Sequence, residues 1–219
     1  MPLRDLIAIA YGEPGQLLPD TQLSGGPTWI DSDRFDVSAR AGGGGPSSVA
    51  QKQLMLRALL AERFNLAVQN RTAILPIYAL VLAKGNGRLG PRLHHADIDC
   101  EALVAQQPGL RERCILYALP SGQLVLRGQT MSAIANALAL LLNRVVQDRT
   151  GLKGGFDADA DFNPEGLPGM SPSPPTDRQT SDLPSLVTTL QEQLGLTLES
   201  TRAPVEVLLI NHVEQPTEN

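Results

Sequence analysis

Two segments carry residue types and spacings that occur in known chemical sites. The run GNGRLG, residues 85–90, fits the glycine pattern of a dinucleotide-binding turn, but Pro91 and a polar segment follow where a helix should present its N–H groups to pyrophosphate. The run DADADFN, residues 157–163, resembles a calcium loop, yet Phe162 stands where the sharp turn requires glycine. We interpret the first as a flexible exit from a strand. We interpret the second as aspartates on a strand's solvent face, with weak adventitious cation binding as the alternative.

Cys100 and Cys114 bracket a polar loop, and the residues alone leave three interpretations open. A disulfide would close about 15 residues and stabilise the fold by roughly 3 kcal/mol in the chain-entropy model. A zinc site would need about two more nitrogen or sulfur ligands, and only His94 and His95 lie nearby in sequence. Unconnected thiols are the third interpretation. We favour the disulfide and expect no metal site.

No arrangement of residues typical of an active site appears elsewhere in the chain. The sequence contains no GxSxG, no H-E-x-x-H and no cysteine with an evident base partner. His212 follows the apolar residues of the last predicted strand, where a hydrogen-bonded edge histidine is the usual role. We therefore expect no catalytic residue and no cofactor.

One cluster of polar and aromatic residues is a candidate binding surface. It lies around the turn that contains the single tryptophan, and tryptophan beside arginine is typical of interface anchors. The alternative is that Trp29 packs over the core while Arg34 pairs with a nearby aspartate. The members of the cluster are Tyr11, Trp29, Asp31, Arg34 and Asp36.

The elements that must position these residues come from an internal repeat: residues 56–82 are similar to residues 186–210. Each copy has leucines at three- and four-residue spacing, which predicts one apolar helix face. Asn65 and Gly195 end these helices, because asparagine and glycine most readily adopt the left-handed conformation. In each copy we expect a short strand, then a turn leading to Pro76 or Pro204, then an apolar strand.

Other segments have local signals of their own. Ser48 and Gln51 can form a capping box, and Thr130 is the expected N-cap of a helix from about 131 to 142. A short helix is expected over residues 3–10, and a strand is expected near 124–126. Phe35, Val37 and Ala39 alternate as a strand would.

These elements predict an α+β fold of two tandem repeated β-α-β-type modules, with helices packed on small mixed sheets. The first module covers residues 1–84 and apparently lacks its opening strand. Residues 85–120 form a loop-rich linker with the cysteine pair. The second module covers residues 121–219 and includes a Gly-, Pro- and Ser-rich segment, 163–182, that we expect to be mobile.

Composition excludes some classes of function. The 219 residues have a net charge of −5 and no basic stripe, whereas nucleic-acid binding needs a basic surface to displace counterions from phosphates. No apolar run approaches the roughly 20 residues that span a bilayer. The N-terminal apolar run is too short for a secretory signal and lacks a basic lead.

Several long motifs carry a family resemblance: SGGPTWIDSDRFDVSARA, MLRALLAERFNLAV, TMSAIANAL and VVQDRTGLKGGFD. From Leu3 onward the chain resembles the soil-associated bacterial protein family of unknown function. The resemblance implies an exported protein, often with a central cysteine pair, and in some relatives a fusion to a membrane metallopeptidase of the antibiotic-sensor type. The missing export signal and opening strand fit a truncated start. Each half is also distantly similar to the short N-terminal domain of secretins and TonB-dependent receptors.

We expect a non-enzymatic interaction or sensory module of the bacterial cell envelope that binds an envelope protein or a small ligand. A binding module should show an exposed apolar patch or an unpaired strand edge. The alternative is a hydrolase or an accessory domain of an envelope metallopeptidase, which should gather polar residues with perturbed titration in one pocket. A purely structural spacer would show neither feature.

Overall fold

The computed structural model describes residues 1–12, 17–38, 48–84, 87–107, 114–170 and 180–216. The helices are α1 (Leu3–Tyr11), α2 (Trp29–Ser32), α3 (Val49–Phe64), α4 (Cys100–Gln106), α5 (Met131–Leu142) and α6 (Leu186–Thr189), which a π-helical turn, Leu190–Leu194, continues. The strands are β1 (Leu23–Gly25), β2 (Ala67–Leu82), β3 (Leu93–His95), β4 (Ile115–Leu119), β5 (Gln123–Gln129), β6 (Val146–Asp148), β7 (Phe156–Asp161) and β8 (Leu196–His212). This content confirms the α+β class.

The chain divides into two compact units. Unit 1 consists of Met1–Leu75 and Ala203–Asn219, and unit 2 is the continuous segment Pro76–Arg202. The long strands β2 and β8 therefore each contribute one part to unit 1 and the other part to unit 2. The boundaries of the two repeat modules remain a prediction from the sequence.

Unit 1 packs α1, α2 and α3 with its parts of β2 and β8. Strand β1 runs parallel to β8, with Leu23 beside Leu208 and Gly25 beside Ile210. The apolar stripe predicted for the first helix is confirmed, because Leu3, Leu6, Ile7 and Ala10 are all buried. The core residues of the unit are Leu3, Leu6, Ile7, Ala10, Leu23, Ile30, Leu60, Phe64, Leu66, Leu208 and Ile210.

Unit 2 contains an antiparallel four-stranded sheet in the order β3-β7-β5-β4. Its part of β2 pairs with the parallel strand β6, beginning at Tyr78 beside Val146. Helix α5 and the segment Leu186–Leu194 supply most of the helical core, in which Leu138, Leu190 and Leu194 are buried with Phe156 and Phe162. At the start of the segment expected to be mobile, Gly169 N–H donates to Leu141 O (3.1 Å), and Leu167 and Met170 pack against this core. Residues 171–179 lie outside the described residues.

The predicted helix ends are confirmed in detail. Ser48 and Gln51 form a reciprocal capping box at the start of α3. Thr130 accepts a hydrogen bond from the backbone N–H of Ala133 and begins α5. Asn65 ends α3 with φ +47°, and Gly195 ends the π-helical turn with φ +72°. Local side-chain and backbone chemistry thus decides where these helices begin and end.

The turns predicted before Pro76 and Pro204 are wrong, because β2 and β8 are continuous strands. The register explains how β2 accommodates a proline. Tyr78 N–H donates to Val145 O (2.9 Å). Residues two apart in a strand point their backbone nitrogens to the same side, so the nitrogen of Pro76 points to the side of Val145 as well. Pairing with β6 begins only at Tyr78, so the missing N–H of Pro76 removes no ladder bond on that side.

Another expectation needs correction. Residues 35–38 form no strand, and Ala39 lies outside the described residues. Instead, Phe35 exchanges two 2.9 Å backbone hydrogen bonds with Met1. In the helix of the second copy, the apolar residue Val187 is 49% exposed, whereas Thr189 is fully buried. Leu186, Thr189, Leu190 and Leu194 form the buried face of this segment, and Val187 lies off that face.

Candidate functional site

Trp29, Asp31 and Arg34, three of the predicted site residues, lie beside the N-terminal end of α1. Arg4 forms an ion pair with Asp31. Arg34 forms an antiparallel backbone bridge with Pro2, the residue that precedes the helix. The structure therefore brings these three residues together around the first turn of α1.

Trp29 is held in place by a row of aromatic rings. It contacts Phe35 edge-on, with ring centroids 6.2 Å apart, and Phe35 contacts Phe64 edge-on at 5.1 Å. Edge-to-face pairs of this kind are favourable because the positive ring edge meets the negative ring face. Phe64 is buried in the core, and the half-buried Trp29 packs against that core, as the alternative interpretation of the sequence expected. The row thus fixes an aromatic side chain at the surface.

Backbone geometry fixes the turn that leads to Trp29. Gly25 and Gly26 have φ values of +80° and +84°. A Cβ atom at Gly25 would lie 2.8 Å from Ile210 O, and one at Gly26 would lie 2.7 Å from a methyl carbon of Ile30. Only glycine combines this conformation with so close an approach.

The charges around Trp29 differ from the alternative interpretation in which Arg34 pairs with a nearby aspartate. Asp31 pairs with Arg4, not with Arg34. Arg34 is exposed, and within the part of the chain that the structure describes its guanidinium has no acidic partner. Asp36, the residue that follows Phe35, is also exposed. The surface therefore presents a half-buried indole, a free cation and two carboxylates, one of them neutralised.

Tyr11 lies at the other end of α1, roughly 10 Å along the helix from Arg4. The Arg57 guanidinium stacks 4.6 Å from the centroid of its ring, and Arg57 Nε donates to Ala10 O (2.7 Å). Burial raises the pKa of Tyr11, and the charge of Arg57 opposes that rise. Tyr11 is thus part of the contact between α1 and α3 and is separate from Trp29, Asp31 and Arg34.

Sequence reasoning missed the residues that hold α1 in place. Buried Gln53 donates through its side-chain amide to Ile9 O (2.9 Å) and Gly12 O (3.1 Å). These carbonyls lack helical partners, as the last carbonyls of any helix do. Gln53 and Arg57 are one turn apart on α3, so an i, i+4 pair of hydrogen-bonding side chains on one helix face was the available signal.

The predicted disulfide is confirmed: Cys100 and Cys114 are bonded, with their Cα atoms 5.7 Å apart. Cys100 is the first residue of α4, and Cys114 immediately precedes β4. Cys100 is buried, and a Cβ atom at Gly128 in β5 would lie 2.7 Å from its sulfur. The bridge therefore ties α4 to the edge of the antiparallel sheet.

The three aspartates of β7 alternate with buried Ala158 and Ala160, as predicted for a strand. Each has a structural partner. Asp157 accepts from Gly128 N–H (2.7 Å), and Asp159 accepts through both carboxylate oxygens from Nη2 of Arg127 (2.7 and 2.9 Å). Asp161 lies 3.6 Å from Arg92. The hydrogen bond that Arg127 donates to Asp159 raises the pKa of Arg127. Among the described residues, no group of three or more His, Cys, Asp or Glu side chains is arranged to hold a metal ion.

The remaining histidines and the glycine-rich run have local roles. His94 and His95 lie in β3, where the ring of His95 stacks on Phe156 with centroids 4.7 Å apart. His212 contacts Glu214 at 2.9 Å, in agreement with a hydrogen-bonded edge histidine. In the glycine-rich run, Gly85 and Asn86 lie outside the described residues, and Gly90 N–H donates to Leu194 O (2.9 Å).

A cleft of about 350 Å³ lies between α5 and β6 in unit 2. Ser132, Asn136, Asp148 and Arg149 are among its lining residues. Asp148 accepts hydrogen bonds from both the backbone N–H and the hydroxyl of Thr150, so its carboxylate also stabilises the following turn. None of the predicted site residues lines this cleft.

Comparison with known proteins identifies a family. The model of the family described as "Protein of unknown function (DUF3738)" matches residues 4–213. No curated protein matches the chain, and no solved structure does. No helix within the described ranges has both the length and the apolar character needed to cross a membrane.

Proposed function

Because the chain belongs to this family of unknown function, DUF3738, we propose its role from the site itself: a non-enzymatic interaction or sensory module of the bacterial cell envelope. The observation that carries the proposal is the surface formed by Trp29, Asp31 and Arg34, which we call the Trp29 surface. It combines a rigidly held aromatic ring with an exposed arginine that has no acidic partner in the described part of the chain. Such pairs dominate the binding energy of many protein interfaces.

The charges of the Trp29 surface favour a partner with an acidic group. Arg4 already neutralises Asp31, which leaves the guanidinium of Arg34 to bind a carboxylate or phosphate. The half-buried indole of Trp29 offers an apolar contact next to that cation. We therefore expect an envelope protein or small ligand that presents an acidic group beside an apolar one.

The disulfide supports a location outside the cytoplasm. Disulfides persist in oxidising compartments and are rare where glutathione and thioredoxin keep thiols reduced. The Cys100–Cys114 bridge lies at the junction of α4 and β4, where its loss would release the start of an edge strand. A periplasmic or extracellular environment would keep this bridge formed.

The experiment is affinity capture from an envelope extract of the native organism, followed by mass spectrometry. It compares the wild type with the Arg34→Glu variant, which reverses an exposed charge without disturbing the core. The matched control is Arg71→Glu, the same charge reversal at an exposed position of β2 in unit 1. We expect Arg34→Glu to reduce recovery of the partner at least about tenfold, which corresponds to about 1.4 kcal/mol, and Arg71→Glu to leave it unchanged.

A photo-crosslinking residue at position 34 tests the same surface directly. It should label the captured partner, whereas the same residue at Leu54, which is 60% exposed on α3, should not. Equal recovery by the wild type and both charge variants would exclude the Trp29 surface. Recovery of no partner by the folded wild type would overturn the interaction role.

A further inference from the structure

Strand β4 is an outermost strand of the antiparallel sheet. It pairs with β5 along its whole length, from Ile115 beside Arg127 to Leu119 beside Gln123. On its other side, no strand among the described residues pairs with it. Among the described residues, the outward backbone N–H and C=O groups of β4 therefore have no strand partner, as expected for an edge strand.

The other sheet margins have features that protect against strand addition. Strands β1, β3 and β6 are three residues long. The part of β2 in unit 1 exposes the polar residues Gln69, Asn70 and Arg71. Short edges and charged or polar edge residues are the usual protection. Strand β4, with the sequence ILYAL, has five residues and none of these features.

The ends of β4 are sharply defined. Cys114, just before the strand, is bonded to Cys100 in α4. Pro120, just after it, has no N–H to donate to a new ladder. An added strand can therefore pair with Ile115–Leu119 and with little beyond.

The side chains of β4 are complementary to a second β4 in antiparallel orientation. With Tyr117 on the two-fold axis, Ile115 faces Leu119, Leu116 faces Ala118, and Tyr117 faces its own copy. Apolar residues then oppose apolar residues, an aromatic pair forms at the centre, and no charges meet. This register pairs all five residues, whereas any other symmetric register pairs fewer.

The faces of the sheet also match. Tyr117 aligns with Val125, and Val125 aligns with Asp159. Tyr117 and Leu119 are 41% and 37% exposed, while Leu116 and Ala118 pack against the core. A two-fold axis perpendicular to the sheet keeps Tyr117 of both copies on the outer face, as a continuous sheet requires.

We propose that β4 pairs antiparallel with β4 of a second copy of this chain, joining the two four-stranded sheets into one across an axis at Tyr117. The inference is independent of the Trp29 surface, because β4 and its sheet lie in unit 2. The interface is isologous, so the same five residues form both of its sides.

The test measures self-association by sedimentation velocity over a range of protein concentrations. The wild type should change from monomer to dimer as concentration rises. Tyr117→Lys and Tyr117→Glu should each weaken association at least about tenfold, because two like charges then meet on the axis. An equimolar mixture of these two variants should recover association as a heterodimer, because the charges now oppose each other.

Two further variants test the register and the specificity. Leu119 faces Ile115 and not itself, so a mixture of Leu119→Lys and Leu119→Glu should show no recovery. Val187→Lys places the same charge on an apolar residue that is 49% exposed on α6, and it should associate as the wild type does. Melting curves of all variants establish that each is folded.

Hydrogen exchange tests the pairing of β4 on the wild type, without any substitution. Amide protection in Ile115–Leu119 should increase with protein concentration, while that in β3 stays constant. A wild type that remains monomeric at every concentration would overturn the proposal. So would association that Tyr117→Lys leaves unchanged, or recovery in the Leu119 mixture instead of the Tyr117 mixture.

Discussion

The side-chain amide of Asn65 donates a 2.6 Å hydrogen bond to the carboxylate of Glu214, across 149 positions of sequence. Asn65 ends α3 in the left-handed conformation, and the backbone N–H of Glu214 donates to Phe64 O in the last turn of the same helix (2.7 Å). The other carboxylate oxygen of Glu214 contacts His212. Glu214 therefore completes the C-terminal cap of α3 from the far end of the chain.

This contact predicts a dependence of stability on pH. The hydrogen bonds from Asn65 and His212 lower the pKa of Glu214 below its ordinary value of 4.5. The unfolded chain therefore takes up this proton at higher pH than the folded chain does, so the stabilisation is complete above 4.5 and is lost as pH falls through the lowered pKa. We expect the melting temperature of the wild type to fall more steeply on acidification than that of Glu214→Gln.

Glu206→Gln is the control, because Glu206 is an exposed carboxylate of β8 in the same unit. Its melting curves should follow those of the wild type at each pH. Identical acid profiles for the wild type and Glu214→Gln would show that the cap contributes nothing in solution.

The turn before Trp29 should not tolerate a side chain at Gly25. The residue has φ +80°, and a Cβ atom would lie 2.8 Å from Ile210 O. Gly25→Ala should lower the free energy of unfolding by roughly 2–4 kcal/mol, because conformational strain and steric overlap add. Urea denaturation measures this loss.

Gly154→Ala separates the two causes. Gly154 has φ +87°, but no atom lies within 4 Å of the position of its Cβ. This variant should lose only the conformational part, roughly 1–2 kcal/mol. Equal losses of unfolding free energy for both variants would show that the close approach of the alanine Cβ at position 25 to Ile210 does not reduce stability.

The Cys100–Cys114 bridge should stabilise the oxidised protein measurably. The double variant Cys100→Ser, Cys114→Ser should unfold with a free energy lower by about 3 kcal/mol in the chain-entropy model. Reductant should destabilise the wild type and leave the double variant unaffected. Rapid thiol labelling of folded protein purified without reductant would contradict the bond.

Arg57 should control the ionisation of Tyr11. Burial raises the pKa of Tyr11, and Arg57, stacked 4.6 Å from its ring, holds that rise back. Arg57→Gln should therefore raise the pKa of Tyr11 further, as measured by ultraviolet titration, with Tyr11→Phe assigning the signal. Arg144→Gln removes an arginine stacked on Tyr78 and should leave the Tyr11 titration unchanged. A shift caused by Arg144→Gln would show that the signal was wrongly assigned.

Features that depend on neighbouring residues could be predicted from the sequence. The capping box of Ser48 and Gln51, the N-cap at Thr130 and the left-handed ends at Asn65 and Gly195 follow from local chemistry that operates within one helical turn. The disulfide was favoured because its two cysteines bracket one polar loop in the sequence. The fold class followed from the same local signals.

Features that depend on distant residues could not be predicted from the sequence. A proline suggested a turn, yet Pro76 lies inside a strand because the neighbouring strand pairs only from Tyr78 onward. Asp31 lies three residues from Arg34, but its partner is Arg4, which only the packing of α1 brings near. Tyr11 and Trp29 were grouped because both are aromatic, and the length of α1 separates them. Such contacts have no periodicity, so no local pattern reveals them.

The discontinuity of unit 1 reverses the order in which the two units can form during synthesis. Met1–Leu75 leaves the ribosome first but lacks Ala203–Asn219, which brings the last part of β8 and Glu214. At typical elongation rates, the intervening residues take on the order of ten seconds to emerge. During that interval the segment of unit 2 emerges, while α1 and α3 expose an unfinished core. Unit 1 can therefore complete its core only after the last part of β8 has followed unit 2 out of the ribosome.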